Sequence, residues 1–444
     1  MRLDVHVSER TVATLYRERD EYVLKYLPGA ADEDFVSLAL PVREAPWRWP
    51  RDLFPFFRQN LPEGYLLNLI REEFGSLFDG TDLSLLGLVG GAGIGRVSVT
   101  PEGVAPGVEL EPLEISHLLK AENTADHFAR LVRRYARVAI SGVVPKFIAA
   151  DTAANGMSVG KPTLRTGFHI IKGSDEKTPF LGFNEFYTMR VLARLNVVPV
   201  AHCQMSEDGR LLVVDRFDVD EQGVPRCGLE DACGLLGLPP HEKYAPSVEK
   251  VWNATRPYIP TELMRSQREH LGWHLLTNYV VRNADCHSKN IALFYTSRAD
   301  VAFTPVYDLV TTQAYPRFAD NPPGLSIGGR QTWTPGKSLE QFFNGVLNIP
   351  PRQYAAMVEQ LCESAVAVGQ EVIEAAKNEP AWRDVAKHMV HAWNLGMETL
   401  RSPKASPQFR GLDAAIERAG FSGPRKPEKS RETIGRSALL GRKK

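Results

Sequence analysis

The stretch Asn283-Ala284-Asp285-Cys286-His287-Ser288-Lys289-Asn290 contains an aspartate followed five positions later by an asparagine. This D-x-x-x-x-N spacing is that of a catalytic loop for phosphoryl transfer, in which the aspartate accepts the proton of the substrate hydroxyl and the asparagine holds magnesium. The pattern therefore predicts Asp285 as the catalytic base and Asn290 as a metal ligand. Because Asp and Asn are common in loops, the pair needs support from the residues around it.

That support comes from residues that flank the loop in the order found in protein kinases. Lys172 ends the strand-like segment 168–172, where a lysine can reach nucleotide phosphates. Glu185 stands on the following helix and can orient this lysine through a salt bridge. Asp308 follows a short strand, in the position of a magnesium-binding aspartate. Each residue alone is also typical of a surface charge or a turn former, but their order favours a phosphoryl-transfer site.

The segment Ile140-Ser141-Gly142-Val143-Val144-Pro145-Lys146 is the candidate phosphate-covering loop. Its backbone amides can bind phosphate oxygens, although it holds one glycine and not G-x-G-x-x-G. Two similar stretches fail on context. The glycine-rich stretch 87–95 is followed by a strand and is interpreted as a flexible turn, and Gly336-Lys337-Ser338 lacks the upstream glycine of a P-loop.

Composition excludes several classes of protein. With 444 residues, 43% hydrophobic and 24% charged, the chain is predicted to be globular with two or three lobes. The formal net charge is zero, so the whole chain is not built to bind a polyanion. Five scattered cysteines without C-x-x-C favour free thiols in a reducing cytoplasm. The first residues alternate like a strand, so a signal peptide is not expected there, and no apolar run approaches the roughly 18 residues of a membrane span.

The pattern of elements predicts four regions. Residues 1–105 read as a β-rich subdomain, 106–227 as a lobe of strands and one helix that binds nucleotide, and 228–422 as a helical lobe that carries the catalytic loop. In that lobe His270 and His274 lie four apart on a helix, and we expect packing there and not a metal site. The tail 423–444 is basic and expected to be disordered, with contact to DNA or an acidic partner as the alternative.

As a set, these motifs resemble the HipA family of serine/threonine kinase toxins from bacterial toxin–antitoxin modules. The strings that carry the resemblance are Ser141-Gly142-x-x-x-Lys146, His169-Ile170-Ile171-Lys172, Asn184-Glu185, Glu230-Asp231, Gly237-Leu238-Pro239, Lys243-Tyr244, Asp285-x-His287-x-Lys289-Asn290 and Tyr307-Asp308. The similarity covers nearly the whole chain except the basic tail. It implies an α+β, two-lobed protein-kinase-like fold with an N-terminal β-rich subdomain and an all-helical C-lobe.

The resemblance also implies ATP and Mg²⁺, with Asp285 as the base and Asn290 and Asp308 as magnesium ligands. The residues that it implies on the nucleotide side are Lys172, Glu185, Asp215 and Phe217 at the adenine-side hinge, Ser141, Gly142 and Lys146 in the phosphate loop, and His287, Lys289 and Tyr307. His287 and Lys289 have a plainer alternative, which is support of the loop backbone.

Family members inhibit growth by phosphorylating a tRNA-charging enzyme, typically an aminoacyl-tRNA synthetase, and are held by a small helix-turn-helix antitoxin, HipB-like, that represses their operon. Since no helix-turn-helix is evident in this chain, DNA binding is expected through that partner. Two departures from the family pattern stand out. Ala139 leaves Ser141 as the candidate for autophosphorylation, and Leu229 stands where some relatives have glutamine.

Two alternatives stay open on the sequence alone. Small-molecule kinases share the Asp-x4-Asn arrangement, and the N-terminal subdomain argues mildly against that class. A pseudokinase acting as an antitoxin-bound co-repressor is the second alternative, and the intact set of Lys172, Asp285, Asn290 and Asp308 argues against it.

Overall fold

The structure is a computed structural model that describes residues 1–62, 67, 70–72, 79–106, 113–131, 163–333, 338–401 and 411–421. The predicted phosphate loop, with Ser141, Gly142 and Lys146, lies outside these residues, and so does the basic tail. The domain limits at residues 105, 227 and 422 remain predictions.

The N-terminal subdomain is built on a five-stranded antiparallel sheet in the order β4-β3-β2-β1-β5. Its strands are β1 (Arg2–Val7), β2 (Arg10–Glu18), β3 (Glu21–Tyr26), β4 (Trp47–Pro50) and β5 (Val97–Pro101). The alternation of Leu3, Val5 and Val7 in β1 places all three side chains in the core, as expected when one face of a sheet is buried. Helices α1 (Pro55–Arg58) and α2 (Asp82–Val89) accompany this sheet.

Helix α2 corrects the interpretation of the glycine-rich stretch 87–95 as a flexible turn. The stretch begins inside α2 and continues as the 3-10 turn Gly90–Ala92 before β5. A Cβ atom on Gly87 would lie 2.6 Å from Met1 Cε and 2.9 Å from Leu3 Cδ2. At least this glycine therefore serves the close packing of α2 on β1, which periodicity along the chain does not reveal.

A second antiparallel sheet has the order β6-β7-β9-β8. It comprises β6 (Thr163–Arg165), β7 (His169–Gly173), β8 (Cys203–Met205) and β9 (Leu211–Asp215). The short helix α3 (Ile115–Lys120) precedes this sheet in the chain, and α4 (Leu181–Ala193) packs against β9. A Cβ on Gly182 would stand 2.4 Å from the carbonyl oxygen of Leu211, so α4 requires glycine at this contact.

The C-terminal lobe is mainly helical. Its helices are α5 (Ala232–Leu235), α6 (Val248–Thr255), α7 (Met264–Val280), α8 (Ser338–Gly345), α9 (Pro351–Asn378), α10 (Arg383–Leu400) and α11 (Asp413–Arg418). The lobe is not all-helical, because β10 (Gly228–Asp231), β11 (Ala292–Tyr295) and β12 (Ala302–Phe303) form a small sheet in that order. Strand β11 follows the Asp285 loop directly and pairs with β10, so the sheet fixes the far end of that loop.

Helix α7 leads into the Asp285 loop and packs on α9 and α10. A Cβ on Gly396 of α10 would lie 2.0 Å from the carbonyl oxygen of Val280, at the last residue of α7. The end of the helix that precedes the loop is thus held by the tightest helix contact of this kind in the described part of the chain. No helix within the described ranges is long and apolar enough to cross a membrane.

His270 and His274 are buried in α7, each 4% exposed, and no group of three or more His, Cys, Asp or Glu side chains that could hold a metal ion occurs in the part of the chain that the structure describes. Burial lowers the pKa of His270 to about 4 and that of His274 to about 3. In the unfolded chain both take up protons near pH 6.5, whereas the folded chain does not.

We therefore expect the free energy of unfolding to fall as the pH drops from 6.5 towards 4, by about 2 kcal/mol per histidine at pH 4.5. The measurement is urea unfolding at pH 7 and pH 4.5 for wild type, His274→Phe and, as a control, His241→Gln at an exposed position. The loss should be smaller in His274→Phe only. An equal loss in all three proteins would contradict this origin of acid sensitivity.

Candidate active site

Lys172, Glu185 and Asp308 meet at the centre of the candidate site. Lys172 Nζ donates to Glu185 Oε1 and, at 2.8 Å, to Asp308 Oδ1. Its side chain is 11% exposed, and that of Glu185 is fully buried. Because β7 carries the lysine and α4 carries the glutamate, the packing of α4 on the sheet brings the two charges together. The ion pair predicted from the sequence is present, and Asp308 joins it.

Asn290 reaches the same aspartate from the Asp285 loop. Its Nδ2 donates to Asp308 Oδ2 at 3.1 Å, so both carboxylate oxygens of Asp308 have protein partners. Asp308 has φ +63°, a left-handed conformation that non-glycine residues adopt rarely and that is often found at functional sites.

The backbone that follows Asp308 is anchored to two helices. Thr311 N donates to Asn184 Oδ1 at 2.8 Å, and Asn184 Nδ2 donates back to Thr311 O at 3.0 Å. Trp393 Nε1 of α10 donates to Thr311 Oγ1 at 2.6 Å. The buried side chain of Asn184 thus fixes the Asp308 segment against the helix that carries Glu185, which explains how Asp308 is held in a strained backbone conformation.

The loop that carries Asp285 is held by its own polar side chains. Asn283 Nδ2 donates to Asn278 Oδ1 at 2.7 Å, and Asp285 N donates to Asn283 Oδ1 at 2.9 Å. Thr312 Oγ1 accepts from Ala284 N at 2.8 Å, which ties the loop to the segment after Asp308. Asp285 itself is 4% exposed. The two predicted aspartates therefore stand on segments that are hydrogen-bonded to each other.

Gly324 also supports this loop and was not singled out from the sequence. A Cβ atom at this position would lie 2.4 Å from Cys286 O and 2.9 Å from Ala284 O, on either side of Asp285. The chain around Gly324 therefore packs directly against the loop backbone. No local pattern predicts this contact, because the glycine stands 39 positions after Asp285 and has no positive φ.

Tyr244 contacts the predicted base directly. Its Oη donates a hydrogen bond to Asp285 Oδ1, and its ring packs edge-on against His287, with ring centroids 5.0 Å apart. His287 is 6% exposed, so its ring is buried beside Tyr244. The sequence singled out Tyr244 only as part of a family string, without a role.

The predicted hinge residues stand at the end of β9. Asp215 is 45% exposed and accepts a hydrogen bond from His202 Nδ1 at 2.7 Å. His169 Nε2 lies 3.7 Å from its other oxygen, and burial lowers the pKa of that histidine. Phe217, two residues on, places its ring 6.1 Å from that of Tyr307. The hinge and the Asp308 segment are therefore neighbours.

Tyr307 and Lys289 also contact each other, since Tyr307 Oη donates to Lys289 O at 3.0 Å. Burial raises the pKa of Tyr307, so its phenol stays protonated. Lys289 lines a small pocket together with Arg58, Asp231, Pro55, Gln59, Cys233, Gly234, Leu238 and Pro240. Arg58 and Gln59 belong to the N-terminal subdomain, so Lys289 stands beside that subdomain as well as in the Asp285 loop.

The N-terminal subdomain is joined to the small sheet through Glu230, whose pKa is raised by burial. Glu230 Oε2 accepts from Ser37 Oγ at 2.7 Å, and its Oε1 accepts from Leu38 N at 2.6 Å and from Tyr295 Oη at 2.7 Å. These bonds satisfy a buried carboxyl group that would otherwise be costly. Glu230 of the string Glu230-Asp231 therefore holds the N-terminal subdomain against the small sheet.

Gln59 makes a second link between the same two units. Its Nε2 donates to Leu229 O at 2.9 Å, and its Oε1 accepts from Asp231 N at 3.0 Å. The side-chain amide thus pairs with β10 as a neighbouring strand would. Leu229, which replaces the glutamine of some relatives, therefore contacts the N-terminal subdomain through its backbone oxygen.

Sequence comparisons extend over both parts of the chain. Residues 3–100 match the HipA N-terminal domain, and residues 138–369 match the HipA-like C-terminal domain. The putative kinase Y4mE of Sinorhizobium fredii is 30% identical over 322 residues, which cover 67% of this chain and 73% of the relative. The putative kinase Y4dM of the same organism is 25% identical over 276 residues, 59% of this chain and 63% of the relative.

Among solved structures, a chain of the HipA, HipB and operator DNA complex from Shewanella oneidensis MR-1 is similar to this protein. The TM-score is 0.61 at 19% identity, with 89% of this chain and 96% of that chain covered. At this identity the likeness shows the fold, which is kinase-like. With one family domain covering more than half of the sequence and another covering its N-terminal part, the chain belongs to the HipA family.

Proposed function

We propose that this protein is an ATP- and magnesium-dependent serine/threonine protein kinase that acts as the toxin of a bacterial toxin–antitoxin module. The observation that carries the proposal is the contact of Lys172 with both Glu185 and Asp308, with Asn290 on the other oxygen of Asp308. Asp285, in the same loop as Asn290, completes the arrangement. These residue types suit phosphoryl transfer, which depends on positioning and on charge stabilisation.

The described residues fit a magnesium–nucleotide. Asp308 and Asn290 offer the hard oxygen donors that Mg²⁺ prefers, and Lys172 offers a cation for phosphate oxygens. When bound, magnesium neutralises charge on the β- and γ-phosphates. Lys172 is held by Glu185 and would be available to contact phosphate oxygens of a bound nucleotide.

The proposed transfer step uses Asp285 as the proton acceptor. The oxygen of a serine or threonine hydroxyl forms a bond to the γ-phosphorus of ATP, and the bond from that phosphorus to the β,γ-bridging oxygen breaks. ADP leaves with the electron pair of that bond, and the hydroxyl proton passes to the Asp285 carboxylate. Such base catalysis typically contributes 10²- to 10⁴-fold to the rate.

Gly324→Ala is expected to lower this transfer roughly 100-fold, because the added methyl group must push the loop carbonyls at 284 and 286 away and displacements of about 1 Å cost that much. The matched control is Gly345→Ala, where an added Cβ meets no atom within 4 Å. The measurement is the rate of phosphate transfer from ATP alongside the melting temperature. Unchanged transfer in Gly324→Ala would contradict tight support of the loop.

The proposed partners follow from the family and from its solved relative. The Shewanella protein is described in complex with HipB and operator DNA, and we propose a HipB-like helix-turn-helix antitoxin for this chain, with DNA contacted mainly through it. An aminoacyl-tRNA synthetase, or another translation component, is the proposed protein substrate. We also propose autophosphorylation at Ser141. That residue lies outside the described ranges, so the structure does not test this point.

Phosphoproteomics after expression tests the proposal, comparing wild type with Asp285→Asn. We expect growth inhibition and new phosphoserine or phosphothreonine sites with wild type only. If growth were inhibited and a metabolite but no protein were newly phosphorylated, the protein-kinase proposal would be wrong and a small-molecule kinase would be favoured. Equal effects of the two proteins would favour a pseudokinase that acts through binding.

A further inference from the structure

The contact between Tyr244 and Asp285 joins two segments that are 41 positions apart in the chain. Tyr244 Oη donates to Asp285 Oδ1, while Asp285 N is held by Asn283 Oδ1 at 2.9 Å. The aspartate is therefore fixed at both its backbone and its carboxylate. A carboxylate held in this way has a defined orientation, which proton transfer requires.

Tyr244 is itself tied to the loop that it contacts. The carbonyl oxygen of the preceding residue, Lys243, accepts from Ser288 N at 3.1 Å and from Ser288 Oγ at 2.8 Å. Lys243 is 5% exposed and Ser288 is fully buried. Together with the edge-on ring packing on His287, these bonds connect the segment of Tyr244 directly to the Asp285 loop.

We infer that Tyr244 is a positioning residue for phosphoryl transfer, which orients the Asp285 carboxylate towards the incoming substrate hydroxyl. The inference rests on the proposed kinase function and adds to it a residue that lies outside the kinase order Lys, Glu, Asp-x4-Asn, Asp. The alternative is that the Tyr244 hydroxyl only occupies the place of the substrate hydroxyl, in which case Tyr244 would have to leave when substrate binds. The bonds of Lys243 to Ser288 and the contact with His287 instead hold Tyr244 against the loop.

The test is Tyr244→Phe, which keeps the ring and removes the hydroxyl. We expect kcat to fall roughly 10- to 100-fold, with KM for ATP and the melting temperature unchanged. The matched control is Tyr279→Phe, which removes a phenol hydroxyl that donates to Thr399 Oγ1 at 3.2 Å, away from Asp285. This control is expected to keep the wild-type kcat.

Three results would overturn the inference. These are an unchanged kcat in Tyr244→Phe, a raised kcat in that variant, which would show that the hydroxyl blocks the substrate site, or phosphate found on Tyr244 of wild type. Hydrogen–deuterium exchange of residues 283–290 gives a readout without activity, and faster exchange in Tyr244→Phe than in wild type is expected. If wild type transfers no phosphate, the kinase proposal fails. Unchanged exchange would then also overturn the role of Tyr244, whereas faster exchange would leave its hold on the loop established.

Discussion

Replacing Asp285 by asparagine is expected to lower phosphoryl transfer roughly 10²- to 10⁴-fold, the usual contribution of a general base, while the affinity for magnesium–nucleotide stays unchanged. Asparagine keeps an oxygen that accepts the hydrogen bond from Tyr244, and its backbone bond to Asn283 is unaffected. The loop should therefore keep its structure and lose only the proton acceptor. Transfer from labelled ATP and nucleotide titration by calorimetry measure the two quantities.

The control for this prediction is Asp384→Asn, which makes the same change in the first turn of α10, at a side chain that is 71% exposed. Wild-type transfer is expected there. If Asp285→Asn kept both transfer and growth inhibition, the kinase assignment would fall. Loss of nucleotide affinity in Asp285→Asn would instead move this residue from the chemical step to binding.

Asp308→Asn is expected to weaken binding of nucleotide in the presence of Mg²⁺ by roughly 10- to 100-fold and to remove transfer. Asp308 pairs with Lys172 through one oxygen and accepts from Asn290 through the other. Charge-assisted contacts of this kind are worth about 1.5 to 3 kcal/mol each. The variant loses the negative charge that suits a metal ion, while Lys172 keeps its salt bridge to Glu185.

Comparing affinities with magnesium and with EDTA isolates this role. The weakening should appear with magnesium and largely vanish with EDTA, and Asn290→Ala should behave in the same way. An equal loss in both buffers would mean that Asp308 acts through the ion pair with Lys172 and not through a metal. Calorimetric titration with a non-hydrolysable ATP analogue provides the affinities.

The sequence predicted those contacts of the site that join consecutive elements or residues of one loop. Lys172 near the end of a strand and Glu185 on the next helix meet because a helix after a strand packs back on its sheet. Asp285 and Asn290 are five apart in one loop, so their proximity is local. The family and the kinase-like fold were also predictable, because short motifs in the sequence carry the resemblance.

The unpredicted parts depend on contacts between distant segments. Tyr244 reaches Asp285 across 41 positions, and Ser37 reaches Glu230 across 193. Nothing in the local pattern at Tyr244 or Ser37 marks such a partner, because the pairing is set by how the subdomain and lobes pack. The direct bond between Lys172 and Asp308, 136 positions apart, belongs to the same class.

Packing also explains where the predicted elements were wrong. The glycine-rich stretch 87–95 was interpreted as a turn because a strand follows it, yet Gly87 belongs to α2 and allows its approach to β1. The all-helical C-lobe was implied by the family resemblance, whereas the structure has three short strands there. Strand β12 has two residues, which no periodicity can reveal, and β10 is recognisable only beside its partner β11.

The most direct test of the central claim is to measure nucleotide binding and phosphate transfer on the same preparations of wild type, Asp285→Asn and Asp308→Asn. The account predicts that wild type binds and transfers, that Asp285→Asn binds with wild-type affinity without transferring, and that Asp308→Asn loses magnesium-dependent binding and transfer together. Transfer by Asp285→Asn at the wild-type rate would contradict it.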